Sequence, residues 1–317
     1  MKVLVTGGSG FIGTNLIESL LSNNCKILNI DNSAPKKKEH ESFWEKIDMI
    51  NYEDFVEAIL RFKPDYIVHL AARTDLDGHS LKDYAVNIIG IENLMKNIHK
   101  FSNLRKIIIT SSMLVCRAGY YPKNQFDYTP TTFYGESKVE TERIVWANKP
   151  DCDWAIIRPT SIWGPWFGVP YRNFFDMVLS RRYFHVGNKG CTKTYGYIGN
   201  AVYQIEQILF NDTFDEGKKI FYIGDEPPAN IEEWADEIAV ESGYNIKRIP
   251  YGFMKLAACF GDSLKLLGIK FPMTSFRLKN MTTNNIIDLS ETYKIAPYPP
   301  YSRQEGIKET LEWLSNL

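Results

Sequence analysis

The chain begins with MKVLVTGGSGFIG (residues 1–13), and this stretch decides the fold. The apolar residues 2–5 predict a short buried strand, and residues 11–23 (FIGTNLIESLLSN) carry apolar side chains at the spacing of a helix. Three glycines lie between them, at Gly7, Gly10 and Gly13. A strand, a glycine turn and a helix N-terminus form a site for an anion. Backbone N–H groups point outward there, the helix dipole is positive, and missing Cβ atoms permit close approach.

The residues around the glycines narrow the class of anion. A P-loop requires Lys and then Ser or Thr after the last glycine, whereas this chain has Thr14 and Asn15, so P-loop chemistry is excluded. A second strand, CKILNID, ends at Asp31, 18 residues after Gly13. A carboxylate at this place accepts hydrogen bonds from an adenosine ribose and repels a 2′-phosphate. The pattern therefore favours NAD, and the lysines at 36–38 leave NADP as the alternative.

Strand and helix patterns alternate along the next part of the chain, and several of the strands are apolar throughout. The segments in order are KIDM (46–49), NYEDFVEAILRF (51–62), DYIVHLAA (65–72), DYAVNIIGIENLMKNI (83–98), LRKIIITSS (104–112) and DWAIIRP (153–159). This alternation is typical of a parallel sheet covered by helices on both faces. The predicted fold class is α/β, with a doubly wound parallel sheet that binds a dinucleotide.

Composition excludes several classes of protein. The 317 residues are 44% hydrophobic with a net charge of −1, which is ordinary for a globular protein and gives no broad basic field for nucleic acid. Five cysteines at irregular spacing favour reduced thiols in the cytoplasm over a disulfide framework or a metal site. No signal peptide or membrane span is expected. The most apolar stretch, residues 251–271, is interpreted as a helix that packs against the rest of the protein. A helix that lies at a membrane interface is the less favoured alternative.

A candidate catalytic pair opens the segment FYGESKVETERIVWA (133–147), which has the pattern of an amphipathic helix. Tyr134 and Lys138 are four residues apart and therefore share one helix face. An ammonium beside a phenol favours the phenolate, so Lys138 is expected to lower the pKa of Tyr134 and make it a general base. Such pairs are common by chance, but this one follows a strand ending in TSS inside a dinucleotide fold.

The combined motifs resemble a known family. TGGSGFIG, HLAA (69–72), the TSS strand end, YGESK and IIRPTSIWGP together look like the extended short-chain dehydrogenases/reductases, and more narrowly the NAD-dependent nucleotide-sugar epimerase/dehydratase group similar to UDP-glucose 4-epimerase. The resemblance covers nearly the whole chain. It implies a Rossmann domain with a smaller C-terminal α/β substrate-binding lobe. The implied boundaries are 1–158 for the NAD-binding domain, with its sheet completed by 195–224, and 159–194 with 225–317 for the lobe.

The resemblance also implies roles for individual residues. The catalytic set is Ser112, Tyr134 and Lys138. The cofactor set, which shares Tyr134 and Lys138, further comprises Gly7, Gly10, Phe11, Ile12, Gly13, Asp31, Asn32, Asp48, Met49, Ala71, Ala72, Arg73 and Pro159. The substrate set is Met113, Ser161, Lys193 and Arg277. His69 is expected to be a packed strand residue and not a base.

Departures from the family's patterns bear on the reaction. The dehydratases of the group have Asp and Glu after the catalytic hydroxyl, but this chain has Met113 and Leu114, so elimination of water is disfavoured. Ser161 stands where the family often has Asn, and Lys193 stands where an epimerase has Arg, without the bidentate fork. The aromatic segment after the last central strand, from Trp163 to Phe174, is expected either to stack on substrate or to pack in the core.

The implied function is inversion at C4 of a nucleotide-linked sugar through a transient 4-keto-sugar, in the cytoplasm. A net dehydrogenase or keto-sugar reductase uses the same residues and remains the alternative; a non-catalytic NAD(H) sensor is the third reading. Family analogy also implies a homodimer formed by the helices near residues 80–100 and 134–148. Their expected outer faces include Ile88, Ile91, Met95, Val139 and Ile144.

Overall fold

The fold was described from a computed structural model. It describes residues 1–169, 171–188, 190–211, 219–266, 268–269, 271 and 273–317, without the side chains of residues 265, 266 and 276. The range 195–224 expected to complete the sheet includes residues 212–218, which lie outside the described residues.

The strands pair mainly into one large sheet. Numbered along the described chain, they are β1 (Lys2–Thr6), β2 (Lys26–Asp31), β3 (Trp44–Lys46), β4 (Tyr66–His69), β5 (Lys106–Thr110), β6 (Asp153–Pro159), β7 (Ser161–Trp163), β8 (Phe184–Val186), β9 (Thr192–Lys193), β10 (Tyr195–Tyr197), β11 (Ile220–Ile223), β12 (Ala229–Asn230) and β13 (Lys247–Ile249). Seven of them form a parallel sheet in the order β11-β6-β5-β4-β1-β2-β3. The order reverses beside β1, which confirms the predicted doubly wound fold.

The helices connect and cover these strands. They are α1 (Phe11–Ser22), α2 (Tyr52–Phe62), α3 (Ala85–Asn97), α4 (Phe133–Ala147), α5 (Arg172–Leu179), α6 (Ile198–Phe210), α7 (Ile231–Glu241), α8 (Tyr251–Leu266), α9 (Ser275–Thr282), α10 (Ser290–Ile295) and α11 (Arg303–Ser315). Short 3-10 turns precede β3 and α3 and follow α3 and β5. Among the described residues, none of the helices is both long and apolar enough to cross a membrane.

Alternate side chains of the central strands enter two separate cores. Val3 and Val5 of β1 pack with α1 and α6 on one face of the sheet, whereas Leu4 packs with α2 and α3 on the other. In β5, Ile108 joins the first core and its neighbours join the second. The strands are apolar throughout because both faces are covered, which is the reason the sequence pattern showed no alternation.

The third strand differs from its prediction. The structure places β3 at Trp44–Lys46, so Asp48 and Met49 follow the strand in a turn. An Asp48 carboxylate oxygen accepts a hydrogen bond of 3.0 Å from the Ile50 N–H, which stabilises the turn before α2. Local side-chain bonding of this kind competes with strand pairing.

The C-terminal part of the chain contributes one strand to the large sheet and three small sheets outside it. β11 pairs with β6 at the sheet edge, while β7 pairs with β10, β8 with β13 and β9 with β12. A separate core of Val186, Met254, Ala258, Met273 and Leu278 holds α8 and α9 together. The exact division into a cofactor domain and a substrate lobe stays a prediction.

Two expectations about surfaces are changed by packing. Most of the aromatic segment lies in the core: Trp163 and Phe167 are buried, and Phe174 stacks on Trp234 at 4.6 Å between ring centroids. The expected outer faces of α3 and α4 are wrong for three of the five named residues, because Ile91, Met95 and Val139 are buried within this chain. Ile88 and Ile144 are half-buried.

Candidate active site

The glycine turn lies between β1, α1 and the loop after β4. Gly7 has φ +73°, and a Cβ on it would lie 2.6 Å from the backbone nitrogen of Ala71. A Cβ on Gly13 would lie 2.4 Å from the carbonyl oxygen of Gly7. The turn therefore requires glycine at both places for backbone conformation or close packing.

Helix α1 begins at Phe11, directly after the glycine turn, and Ile12 lies in its first turn. Its cap residue, Gly10, supplies no side-chain hydrogen bond, and the first turn carries no acidic residue. The first N–H groups of a helix need acceptors, and an anion meets that need at the positive end of the dipole. These observations fit the pyrophosphate of a dinucleotide.

Asp31 ends β2 beside the glycine turn. Its carboxylate accepts hydrogen bonds from the Ser9 N–H at 3.0 Å and the Ser33 N–H at 2.9 Å. Burial raises the pKa of Asp31, and these hydrogen bonds oppose the rise. Asn32, which follows, is exposed.

The lysines that left NADP open have other partners. Lys36 donates a hydrogen bond of 2.7 Å to the carbonyl oxygen of Trp166, and Lys37 forms an ion pair with Glu18. Lys38 begins the 3-10 turn before β3. Two of the three cations are therefore already engaged, which supports the preference for NAD.

The other predicted cofactor residues lie around the same edge of the large sheet. The side chains of two of them, Met49 and Arg73, are committed to contacts within the protein. Ala71 and Ala72 are half-buried after β4, and Pro159 is the buried last residue of β6. Met49 is 4% exposed and packs against Gly90, so its side chain belongs to the core.

The side chain of Arg73 is bound to residues of the neighbouring loop. Its guanidinium forms an ion pair with Asp75 at 2.7 Å and lies 5.1 Å from the centre of the Tyr84 ring. Its backbone N–H donates to the Asn87 side chain at 2.8 Å. The backbone of Arg73 therefore lines the groove, while the charge is committed to the neighbouring loop.

The three predicted catalytic residues meet at the end of β5. Ser112 lies two residues beyond that strand, near enough to Tyr134 for its hydroxyl to favour the phenolate and so to act on the pKa of Tyr134. Lys138 donates a hydrogen bond of 2.8 Å from Nζ to the carbonyl oxygen of Thr110. The three side chains are all buried, and one helix, α4, supplies both Tyr134 and Lys138.

The direction of the Tyr134 pKa differs from the expectation. Burial raises the pKa of the Tyr134 phenol, and the hydrogen bond from Ser112 opposes that rise. Burial also lowers the pKa of the Lys138 ammonium to about 8, against the carboxylate of Glu142. The expected lowering of the Tyr134 pKa by Lys138 is wrong for the protein alone, because loss of hydration on burial outweighs the opposing effect of the Ser112 hydroxyl.

A polar network that sequence reasoning missed holds α4 in place. The Asn87 side chain of α3 donates to the Ser137 hydroxyl at 2.9 Å and to the Arg73 carbonyl at 3.1 Å. Ser137 donates in turn to the carbonyl oxygen of Tyr134 at 2.7 Å. Asn87 therefore ties the catalytic helix to the cofactor groove, and no spacing in the sequence indicated this.

A buried ion pair supports the other side of the catalytic helix. Arg158 of β6 and Glu142 of α4 form it, with Arg158 Nη2 2.7 Å from Glu142 Oε2. Glu142 also accepts hydrogen bonds from Ser111 at 2.5 Å and Tyr128 at 2.9 Å. The pair joins α4 to the loop that carries Ser112.

His69 is neutral in this arrangement. Its Nδ1 is 2.8 Å from the Thr6 hydroxyl, and burial lowers its pKa to about 3, helped by the charge of Lys138. A histidine of this kind orders the ends of β1 and β4 and stays uncharged at neutral pH.

The predicted substrate residues form two groups. Met113 lines a cavity of about 510 Å³, and Ser161 is buried at the start of β7, where its hydroxyl opposes the rise that burial causes in the pKa of Tyr171. Lys193 Nζ donates at 2.7 Å to the carbonyl oxygen of Asn280, on the same helix as Arg277. Tyr171, whose phenol acts electrostatically on Tyr134, belongs to the aromatic segment that was expected either to stack on substrate or to pack in the core.

Metal chemistry has no donor set in the described part of the chain. No group of three or more His, Cys, Asp or Glu side chains is placed to hold an ion there. The cysteines at 25, 116, 152, 191 and 259 are free thiols.

Comparison with known proteins identifies the family to which the chain belongs. The family model described as "NAD dependent epimerase/dehydratase family" matches residues 3–198, and the chain belongs to this family. Its cofactor is NAD, which the glycine turn, the uncapped α1 terminus and Asp31 fit.

Individual relatives are similar over their whole length. An N-acetyl-alpha-D-glucosaminyl-diphospho-ditrans,octacis-undecaprenol 4-epimerase of Escherichia coli O157:H7 is 29% identical over 98% of this chain and 95% of its own. A 3-beta-hydroxysteroid dehydrogenase of Mycolicibacterium neoaurum is 26% identical over 100% and 92%. The UDP-glucuronic acid 4-epimerase of Bacillus cereus, solved with UDP-glucuronic acid and NAD, has the same fold with a TM-score of 0.75, 20% identity and coverage of 100% and 99%.

Proposed function

We propose that the protein is an epimerase that inverts the C4 hydroxyl of a sugar carried on a diphosphate, of which a nucleotide sugar is the simplest example. The observation that carries the proposal is the buried cluster of Ser112, Tyr134 and Lys138. The two residues that follow Ser112 in the chain are Met113 and Leu114. Neither Met113 nor Leu114 can transfer a proton, and inversion needs no second acid or base.

The residues have separate tasks in this reaction. Tyr134 removes the proton of the sugar hydroxyl while Ser112 donates a hydrogen bond to the same oxygen. NAD⁺, which the glycine turn, the N-terminus of α1 and Asp31 would hold, would supply a reversible hydride acceptor for that carbon and a positive charge that favours ionisation of a nearby phenol. The 4-keto-sugar turns over between the two transfers, and Tyr134 returns the proton. Proton and hydride are both restored, so the cofactor is not consumed.

Two cations support a diphosphate as the ligand. Lys193 contacts α9 through the Asn280 carbonyl, and Arg277 lies on that helix three residues earlier. Burial lowers the pKa of Lys193. An anionic diphosphate beside it favours the charged form. This arrangement supports a sugar diphosphate ester, and the relative from Escherichia coli is named for such an ester of a polyprenol.

Net oxidation is the second candidate. The relative from Mycolicibacterium neoaurum is named a dehydrogenase and is similar over the whole chain. A dehydrogenase performs the first proton and hydride transfers and then releases the ketone, so one cofactor is consumed in each turnover.

Proton NMR of sugar diphosphates with substoichiometric NAD⁺ separates the two candidates. Conversion to a new stereoisomer beyond the amount of cofactor is expected for the epimerase. Conversion that stops at the cofactor supplied, with NADH accumulating, would establish the dehydrogenase and reject the proposal.

A further inference from the structure

Helix α8 has an apolar face that is mostly exposed in the described chain, although the ring of Phe260 meets that of Phe271 edge-on at 5.7 Å between centroids. Phe253, Leu256 and Phe260 are 70%, 72% and 58% exposed. Their spacing of three and four places them within about 60° of one another around the helix. These three residues are called the α8 face below. Three large apolar side chains in one exposed patch mark an interaction surface.

The opposite side of α8 is fixed to the protein. Met254 and Ala258 are buried in the core shared with α9, and a Cβ on Gly261 would lie 1.8 Å from the Met273 carbonyl oxygen. The expectation of a packing helix is therefore right for this side only. The helix cannot rotate to bury the α8 face without breaking that contact.

The segment of the chain that contains the α8 face is basic. Between residues 247 and 279, the side chains that are described include five exposed cations and one acid; the cations are Lys247, Arg248, Lys255, Arg277 and Lys279, and the acid is Asp262. Arg248 is paired with Glu232 at 2.8 Å, and Asp262 accepts the N-terminal N–H of α9 at 3.1 Å. This excess contrasts with the net charge of −1 of the whole chain.

We propose that the α8 face docks on an anionic membrane surface. Aromatic and leucine side chains on one side of a helix, bordered by Lys and Arg, have the composition of an interfacial helix. The apolar residues enter the boundary of the acyl chains while the cations meet lipid phosphates. A second copy of this chain is a poorer occupant, because a two-fold contact places the same basic border against itself.

Helix α8 is connected to the active site through α9. α8 packs on α9, and the chain after α9 reaches the cavity beside Met113, where Asn285 contacts the Met113 sulfur at 3.9 Å. This step rests on the proposed function: the sugar diphosphate is then attached to a lipid that is held in that membrane. The enzyme then takes its substrate from the surface to which it binds.

Vesicle flotation of the full chain tests the docking. Wild-type protein is expected to float with vesicles that mix phosphatidylglycerol and phosphatidylcholine, and less with phosphatidylcholine alone or at high salt. Phe253→Ser, Leu256→Ser and Phe260→Ser combined are expected to weaken partitioning at least about tenfold. The matched control changes Val169, Val240 and Tyr298 to Ser, which removes equally exposed apolar side chains elsewhere and leaves flotation unchanged.

Charge is tested in the same assay. Lys255→Glu with Lys279→Glu is expected to weaken binding to the anionic vesicles, whereas Lys26→Glu with Lys100→Glu, far along the chain and equally exposed, is not. Absence of wild-type flotation, or equal flotation of the α8 variant and its control, overturns the proposal. Light scattering that shows a wild-type dimer and a monomeric α8 variant, without vesicle binding, assigns the face to a second copy instead.

Turnover distinguishes this inference from the proposed function. The α8 variant is expected to lose activity on a sugar diphosphate of a long polyprenol in vesicles and to keep it on a short, water-soluble prenol diphosphate. Docking without epimerisation of any substrate rejects the proposed function alone. Equal activity of the variant and wild type on the vesicle substrate rejects a role of the α8 face in substrate access. Wild-type activity on a soluble nucleotide sugar, with none on the polyprenol substrate, rejects the lipid carrier.

Discussion

The Nζ of Lys138 donates a hydrogen bond of 2.8 Å to the carbonyl oxygen of Thr110, the last residue of β5. The bond joins the catalytic helix to the strand end that leads to Ser112. It also keeps the ammonium buried, which lowers the pKa of Lys138 to about 8. Burial of the Lys138 ammonium therefore lowers the stability of the fold, and the place of Lys138 in the active site explains this cost.

Replacement of the buried Lys138 by Met is expected to stabilise the protein alone and abolish turnover. The pKa of Lys138 falls from 10.5 to about 8 on folding, which corresponds to about 3 kcal/mol of destabilisation at pH 7. Loss of the bond to Thr110 offsets part of this, so the expected gain is about 1–2 kcal/mol. Urea unfolding at pH 7 without NAD measures it.

The pH dependence of that gain has a definite sign. Between pH 8 and 10.5 the folded protein binds fewer protons at Lys138 than the unfolded chain, so wild-type stability rises with pH in this window. The advantage of Lys138→Met is therefore greatest below pH 8 and fades towards pH 10.5. An advantage that grows with pH would show that the buried lysine is not strained.

Removal of the Tyr134 hydroxyl tests the general base. Tyr134→Phe keeps the ring beside Tyr84, at 6.1 Å between centroids, and deletes the proton acceptor. Turnover is expected to fall at least about 100-fold while NAD binding and thermal stability change little. Tyr121→Phe, at an exposed tyrosine, is the control. Retention of turnover in Tyr134→Phe would move the base to another residue.

Asp31 is expected to set the preference for NAD. Asp31→Ala removes the carboxylate between Ser9 and Ser33, and NAD is expected to bind about tenfold more weakly. The ratio of NADP to NAD affinity should rise, because the repulsion of a 2′-phosphate is lost. Cofactor titration followed by fluorescence measures both, with Asp54→Ala as an exposed control. An unchanged ratio would show that the ribose is held elsewhere.

The buried pair of Arg158 and Glu142 is expected to dominate the stability of α4. Arg158→Leu leaves the Glu142 carboxylate uncompensated and should cost about 3–5 kcal/mol in the free energy of unfolding. Arg143→Leu breaks an exposed pair with Glu140 and should cost less than about 1 kcal/mol. Denaturant unfolding compares them. Equal losses would mean that burial adds nothing to the Arg158 pair.

Much of the fold could be predicted from local patterns of apolar residues in the sequence. Apolar runs at the strands and helical spacing between them predicted the doubly wound sheet, because covered parallel strands carry apolar residues on both faces. The end of the third strand was missed, since the turn at Asp48 depends on one side-chain bond. The buried sides of α3 and α4 were assigned to the outside, because apolar spacing does not tell which neighbour covers a helix face.

The sequence by itself determined the glycine turn, the acidic end of the second strand and the spacing of Tyr134 and Lys138, because each follows from residues close together in the chain. Tertiary structure decided what lies around them. Asn87, Arg158 and Tyr171 reach the site or its supporting helix from distant segments, and burial reversed the expected pKa direction of Tyr134. The open side of α8 was likewise decided by packing. Hydration and partner choice depend on which segments meet in space, and that is settled only when the whole chain folds.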